Sequence, residues 1–143
     1  MINQDLTYTD LNKQQLWVSH FVKKLKALKS LKSFKQLTKY QELYVVLAYS
    51  DNTPLRAIID NNETIDLYNV EDFFHVDQYN SNDADNIIKE MNLLNKEFRN
   101  YSFNYRKVTL NDFREILISI QEIKLKSIIK TKASLKQKGL KCI

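Results

Sequence analysis

Between residues 25 and 37 the sequence LKALKSLKSFKQL places an apolar side chain at every third position. An α-helix repeats every ~3.6 residues, so apolar side chains spaced by three spread around the helix and leave it without an apolar face. Upstream residues form instead a coherent stripe about 120° wide, which is what a core-facing helix needs. The members of this stripe are Val18, Phe21, Val22, Leu25 and Leu28. The stretch therefore predicts a bend with a helix on either side.

The first of these helices is expected over about residues 10–29, with Asp10 or Thr9 accepting hydrogen bonds from the first turn as its cap. The second is expected over about residues 33–41. Serines between the two segments suit a hinge, because their hydroxyl groups compete with the helix for backbone hydrogen bonds. The N-terminal part of the chain is thus predicted to be a helix pair.

The middle of the chain carries strand patterns separated by polar turns. A largely buried strand is predicted over residues 42–50, a second over 55–60 and a third over 63–68. The chain has one Gly and one Pro, so Asn, Asp and Ser must make the turns. Three antiparallel strands in a meander are expected, and the alternating aromatic residues of 101–107 are a candidate fourth strand.

A helix is predicted over residues 83–100, capped by Ser81 or Asp83. Its expected apolar stripe consists of Ile87, Ile88, Met91, Leu94 and Phe98. The last helix is expected to open at Thr109, where Thr and Asp112 resemble a capping box, and to continue to about Gln137. Its expected apolar stripe consists of Phe113, Leu117, Ile120 and Ile123. Alternating isoleucines would also fit a strand over residues 114–122, but the helix is preferred.

The predicted fold class is α+β. It combines an N-terminal helix pair, a three- to four-stranded antiparallel sheet, a middle helix and a long C-terminal helix. With 143 residues the chain is expected to be one domain over 1–143, with a flexible tail over about 139–143. The start of the chain has no secretory pattern, and the lone Cys142 can form no internal disulfide, so a cytoplasmic location is predicted.

Charge is segregated along the chain. Residues 1–40 carry eight Lys and two Asp, residues 41–122 carry seven Lys or Arg and fifteen acidic residues, and residues 123–143 carry seven Lys and no acidic residue. Two cationic ends therefore flank an anionic middle. Such asymmetry bears on the choice of partner rather than on the fold. The alternative is that the ends neutralise the middle within one molecule.

Composition excludes several kinds of site. A phosphate-cradling loop needs several glycines, and a structural zinc site needs about four Cys or His ligands. The chain has one glycine, and His20, His75 and Cys142 have no ligand spacing. No cofactor and no metal are predicted. No membrane span is expected because no run of 18 apolar residues occurs, and a membrane-surface helix over residues 25–37 is not expected because its apolar side chains form no single face.

One weak nuclease-like pattern is present. Asp112 is followed ten residues later by Glu122 and Lys124. Metal-dependent nucleases of the restriction-enzyme type use an Asp followed by Glu-x-Lys on an adjoining strand, where the carboxylates hold Mg²⁺. A helix cap and a surface Glu–Lys pair explain the same residues, so an enzyme is not the expected function.

Two binding functions remain. A protein-binding module of the inhibitor, immunity or accessory type would dock by electrostatic complementarity. A nucleic-acid-binding accessory protein would use the lysines on the phosphate backbone. The residues expected to meet nucleic acid or an acidic partner are Lys23, Lys26, Lys29, Lys32, Lys35, Lys39, Lys124, Lys126, Lys130, Lys132 and Lys136. Those expected to meet a basic partner are Asp60, Glu63, Asp66, Glu71, Asp72 and Asp77. The protein-binding module is preferred, because basic ends that lack arginine are a weak signal for base recognition.

Overall fold

A computed structural model describes residues 4–27, 42–60, 63–70, 76–98 and 102–137. Within these residues the chain forms three helices and four strands, an α+β fold as predicted. The helices are α1 (Gln4–Ala27), α2 (Ser81–Glu97) and α3 (Leu110–Gln137). The strands are β1 (Tyr44–Ser50), β2 (Thr53–Asp60), β3 (Glu63–Asp66) and β4 (Asn104–Thr109).

The chain divides into two compact units. The helical unit comprises residues 1–28 and 118–143, and the sheet unit comprises residues 29–117. Helix α3 therefore begins in the sheet unit and ends in the helical unit. The prediction of one domain over residues 1–143 stays a prediction, and the expected tail over 139–143 lies outside the described residues.

The four strands form one antiparallel sheet in the order β3-β2-β1-β4. The predicted three-strand meander is confirmed, and the candidate fourth strand pairs with β1, with Tyr44 opposite Thr109. Strand β1 is central, and its five middle residues are buried on both faces, which explains their continuous apolar run. The turn before β2 places Asp51 at φ 54°, a left-handed conformation that Asp tolerates.

Strand ends differ from the predicted ones by a few residues. Strand β2 begins at Thr53 rather than at residue 55. Strand β3 ends at Asp66 rather than at residue 68, because the Asp66 carboxylate accepts a 2.8 Å hydrogen bond from the Tyr68 backbone N–H and turns the chain. Strand β4 begins at Asn104 rather than at residue 101, with its register set by β1.

Helix α2 packs on the sheet through a small cluster of buried side chains, namely Val46, Ile58, Ala84 and Met91. Ile87 and Ile88 of the predicted stripe pack against this cluster, but Leu94 and Phe98 are exposed. The predicted cap was wrong: Asn80 precedes the helix, and its side-chain oxygen accepts a 2.9 Å hydrogen bond from the Asp83 backbone N–H. Asn80 has extended backbone angles, which the capping position requires.

Helix α3 is continuous to Gln137, as predicted, so residues 114–122 are helix and not strand. Its expected cap is confirmed by a 3.1 Å hydrogen bond from the Asp112 backbone N–H to the Thr109 hydroxyl. Phe113 and Leu117 are fully buried, but Ile120 is only partly buried and Ile123 is 63% exposed. The predicted stripe was wrong beyond Leu117, because burial continues through Gln121 and Ile128 instead.

Helix α1 begins at Gln4, so Thr9 and Asp10 lie inside it and the predicted cap was wrong. Residues 4–9 contain no Gly or Pro, and nothing in them stops the helix from starting earlier. The predicted stripe is confirmed at Val18, Phe21, Val22 and Leu25, all of which are buried. The bend near Ser30 and the second helix lie outside the described residues.

Candidate functional site

The candidate site is the helix pair of the helical unit, in which α1 packs against the C-terminal part of α3. Val18, Val22 and Ile128 are buried together, and Leu11 and Leu125 pack against them. Residues late in α1 contact residues early in this part of α3, and the reverse, so the two helices are antiparallel. The N-terminal and C-terminal segments of the chain therefore pack against each other through these apolar side chains.

Polar contacts also join α1 to the C-terminal part of α3. The Lys26 ammonium lies 2.9 Å from the Glu122 carboxylate. Lys132 donates a 2.6 Å hydrogen bond to the side-chain oxygen of Gln15. The ammonium groups of Lys132 and Lys136 lie 5.3 Å and 6.0 Å from the centre of the Tyr8 ring, within reach of a cation–π attraction. Lysines of the C-terminal segment therefore contact the N-terminal helix directly.

The helix pair carries a strong positive charge. Its described residues, 4–27 and 118–137, include nine Lys against two Asp and one Glu, a net charge of +6. Seven lysines of the predicted site belong to this pair, namely Lys23, Lys26, Lys124, Lys126, Lys130, Lys132 and Lys136. The other four, Lys29, Lys32, Lys35 and Lys39, lie outside the described residues.

The lysines of the pair differ in exposure. Lys23, Lys126 and Lys130 are exposed, whereas Lys124 and Lys132 are half-buried. The Lys132 ammonium contacts Gln15 and Tyr8, so both this group and the aliphatic part of the side chain contribute to the packing of α1 against α3. The exposed members are the ones available to a partner.

Sequence reasoning missed other exposed residues of the pair. Lys13 is exposed on α1, and Ile123 and Ile129 of α3 are 63% and 47% exposed. Lys126 stands three residues from each isoleucine, so it lies beside both on the helix surface. Ile123 had been placed in the core. Its spacing from Leu117, six residues rather than seven or eight, was the signal that it points away from the buried stripe.

The predicted acidic surface is only partly assembled. Asp60, Glu63 and Asp66 are exposed on the β2–β3 hairpin, while Asp77 is half-buried and accepts a 3.1 Å hydrogen bond from the Tyr79 hydroxyl. Burial raises the pKa of the Tyr79 phenol well above its ordinary range, and the charges of Asp77, Asp60 and Glu90 raise it further. Asp60, Asp77 and Glu90 therefore share one neighbourhood. Glu71 and Asp72 lie outside the described residues.

The nuclease-like pattern lacks the strand that it requires. Asp112 lies in the first turn of α3, and Glu122 and Lys124 lie on the same continuous helix. Glu122 is paired with Lys26. Across the parts of the chain that the structure describes, no three His, Cys, Asp or Glu side chains are grouped so as to hold a metal ion. His20 is exposed on α1, while His75 and Cys142 lie outside the described residues.

None of the described helices is both long enough and apolar enough to cross a membrane. No protein-family model, curated protein or solved structure matches the chain significantly.

Proposed function

We propose that this protein is a small protein-binding module of the inhibitor, immunity or accessory type. In this proposal the exposed face of the helix pair docks on an acidic surface of a partner protein. The observation that carries the proposal is the presence of two exposed isoleucines, Ile123 and Ile129, among the lysines of α3.

Electrostatic attraction supports the first step of docking. The described part of the pair has a net charge of +6, and such a concentration of one sign speeds association with an oppositely charged surface. The exposed lysines nearest to the isoleucines in sequence are Lys126 and Lys130. On their own, exposed ion pairs contribute little affinity, roughly 0–1 kcal/mol each.

The isoleucines support a protein as the partner. Aliphatic side chains beside a lysine fit the usual interface, in which an apolar centre is enclosed by a polar rim. Phosphate and sugar offer such a side chain no comparable apolar surface, because contacts to a nucleic-acid backbone are made by cationic and hydrogen-bonding groups. Ile123 and Ile129 thus favour an acidic protein over a phosphate backbone.

The alternative function is nucleic-acid binding, and the joining of both basic chain ends in one helix pair favours it. Lysines on two packed helices can neutralise several phosphates at once and release their counterions. Binding of this kind would be insensitive to sequence and steeply dependent on salt.

The proposal includes a cytoplasmic location. It is supported by the single cysteine, which can form no internal disulfide.

Two double variants distinguish the protein-binding function from the nucleic-acid-binding function. Ile123→Ser with Ile129→Ser removes the apolar surface, and Lys126→Gln with Lys130→Gln removes the charge. A matched control, Lys89→Gln with Lys96→Gln, removes the same charge from exposed positions on α2 of the sheet unit. Each protein is used to capture partners from cell extract and is titrated with heparin and with random duplex and single-stranded oligonucleotides at two salt concentrations.

We expect one captured protein to be retained by the control and lost with either pair of substitutions on α3. Oligonucleotide binding that falls steeply with salt, depends on Lys126 and Lys130 and ignores the isoleucines would refute the proposal and establish the alternative. Added Mg²⁺ or Mn²⁺ in the oligonucleotide samples tests for cleavage, which the proposal does not predict.

A further inference from the structure

We propose that this chain also binds a second copy of itself, through the outer face of α1 on one copy and the outer face of α2 on the other. The contact would place Leu16 and Trp17 of α1 against Leu93 and Leu94 of α2. It uses different residues from the docking surface on α3 and does not depend on the proposed function.

Both faces expose large apolar side chains that the packing of the described residues leaves uncovered. Leu16 and Trp17 are 73% and 60% exposed. Leu93 and Leu94 are 66% and 37% exposed. Burial of such side chains is the main favourable contribution to most protein association, and tryptophan is enriched among the residues that dominate binding.

The polar residues that flank the two apolar pairs have the same spacing, with Lys and His on α1 and Glu on α2. On α1, Lys13 precedes Leu16 by three residues and His20 follows Trp17 by three. On α2, Glu90 precedes Leu93 by three residues and Glu97 follows Leu94 by three. Residues three or four apart are neighbours on a helix surface, so each flanking side chain borders both members of its apolar pair.

Lys13, His20, Glu90 and Glu97 are all exposed. When the apolar pairs meet, Lys13 lies opposite a glutamate whether the helices run parallel or antiparallel, and the His20 imidazole can donate to the other one. Lys89 and Lys96 border Leu93 on its other side, so the complementary contact lies on the side of Leu94.

This pattern favours the pairing of α1 with α2 over the pairing of two copies of the same helix. Two copies of α2 that met on the Leu94 side would place glutamates together, which penalises that pairing, and two copies of α1 would give Lys13 no glutamate partner. The wider charge distribution acts in the same direction. The described residues of the helical unit have a net charge of +6, whereas those of the sheet unit include six Lys or Arg and twelve acidic residues, a net charge of −6.

The contact is heterologous, because two different faces meet. Two copies that exchange both contacts form a closed dimer, and copies that cannot do so form longer assemblies. Either product has a mass above that of the 17.0 kDa monomer.

The test is sedimentation of the full chain from micromolar to near-millimolar concentration, at low and at high salt. Trp17, the single tryptophan of the sequence, serves as a second reporter, because its burial shifts the emission to shorter wavelength as concentration rises. We expect association that weakens with salt, together with this shift. A monomer at every concentration, with constant emission, would overturn the inference.

A charge exchange between copies makes the test specific. Lys13→Glu on one chain, and Glu90→Lys with Glu97→Lys on another, should each weaken self-association about tenfold, because each places like charges at the contact. A mixture of the two proteins should associate again. Circular dichroism checks that both remain folded. A mixture no tighter than its components would refute the pairing of α1 with α2.

Discussion

Lys132 of α3 donates a 2.6 Å hydrogen bond to the side-chain oxygen of Gln15 of α1, a residue 117 positions earlier in the chain. The same ammonium lies over the ring of Tyr8. Both contacts join the two ends of the chain, and the lysine that makes them is half-buried in the helix pair.

Removal of the Lys132 ammonium should loosen the helix pair. Lys132→Met keeps the apolar stem but leaves Gln15 without its donor, and we expect the free energy of unfolding to fall by about 1 kcal/mol. Urea denaturation followed by circular dichroism measures the change. Lys130→Met is the matched control on an exposed position and should change stability by less than about 0.5 kcal/mol. Equal effects of the two substitutions would contradict the assigned contact.

The Asn80 cap should contribute measurably to α2. Asn80→Ala removes the side-chain oxygen that accepts from the Asp83 backbone N–H, and we expect a loss of about 1 kcal/mol in the free energy of unfolding. Asn82→Ala, at an exposed position two residues later, is the control and should be close to neutral. If Asn82→Ala destabilised more than Asn80→Ala, the helix would begin elsewhere.

Phe113 and Ile123, both placed in one buried stripe by sequence pattern, should respond very differently to truncation. Phe113 is fully buried, and Phe113→Ala should cost roughly 3–5 kcal/mol, with Phe113→Leu as a milder variant that still folds. Ile123 is 63% exposed, and Ile123→Ala should change stability by less than about 0.5 kcal/mol. Thermal and urea denaturation measure both. A large loss for Ile123→Ala would place it in the core.

Tyr79 should make stability fall at high pH. Its folded pKa is raised, first by burial and then by Asp77, Asp60 and Glu90, above the ordinary value of about 10 for an unfolded tyrosine. Above that value the unfolded chain loses the phenolic proton while the folded chain keeps it, so the free energy of unfolding decreases as pH rises. The stabilising contribution is complete below pH ~10.

The measurement is urea denaturation of wild type and Tyr79→Phe at several pH values on both sides of 10. The substitution removes the ionisable group, so the decline with pH should be shallower in the variant. In the variant, the absorbance of tyrosinate should show one tyrosine fewer ionising at the highest pH than in the wild type. Parallel declines in the two proteins would mean that Tyr79 titrates normally.

Sequence pattern was sufficient for the described helices and strands, apart from their ends, and for much of the sheet. Alternation and polar turns located β1, β2 and β3, because short antiparallel strands joined by tight turns pair with their neighbours in sequence. The cap at Thr109 was also visible, since it depends only on residues within one turn. The cap at Asn80 was missed because Ser81 and Asp83 are also suitable capping residues by type. Only the backbone path of the preceding chain decides which of the three residues caps the helix.

The sequence by itself determined where charge and apolar residues lie along the chain, and hence the helices, the strands and the two cationic ends. Only the tertiary structure decided that those ends pack together and that α3 buries Gln121 and Ile128 rather than Ile123. The physical reason is that a helix of 28 residues offers more than one candidate stripe. Which stripe is buried depends on the element that covers it, here a helix more than 90 residues away in sequence.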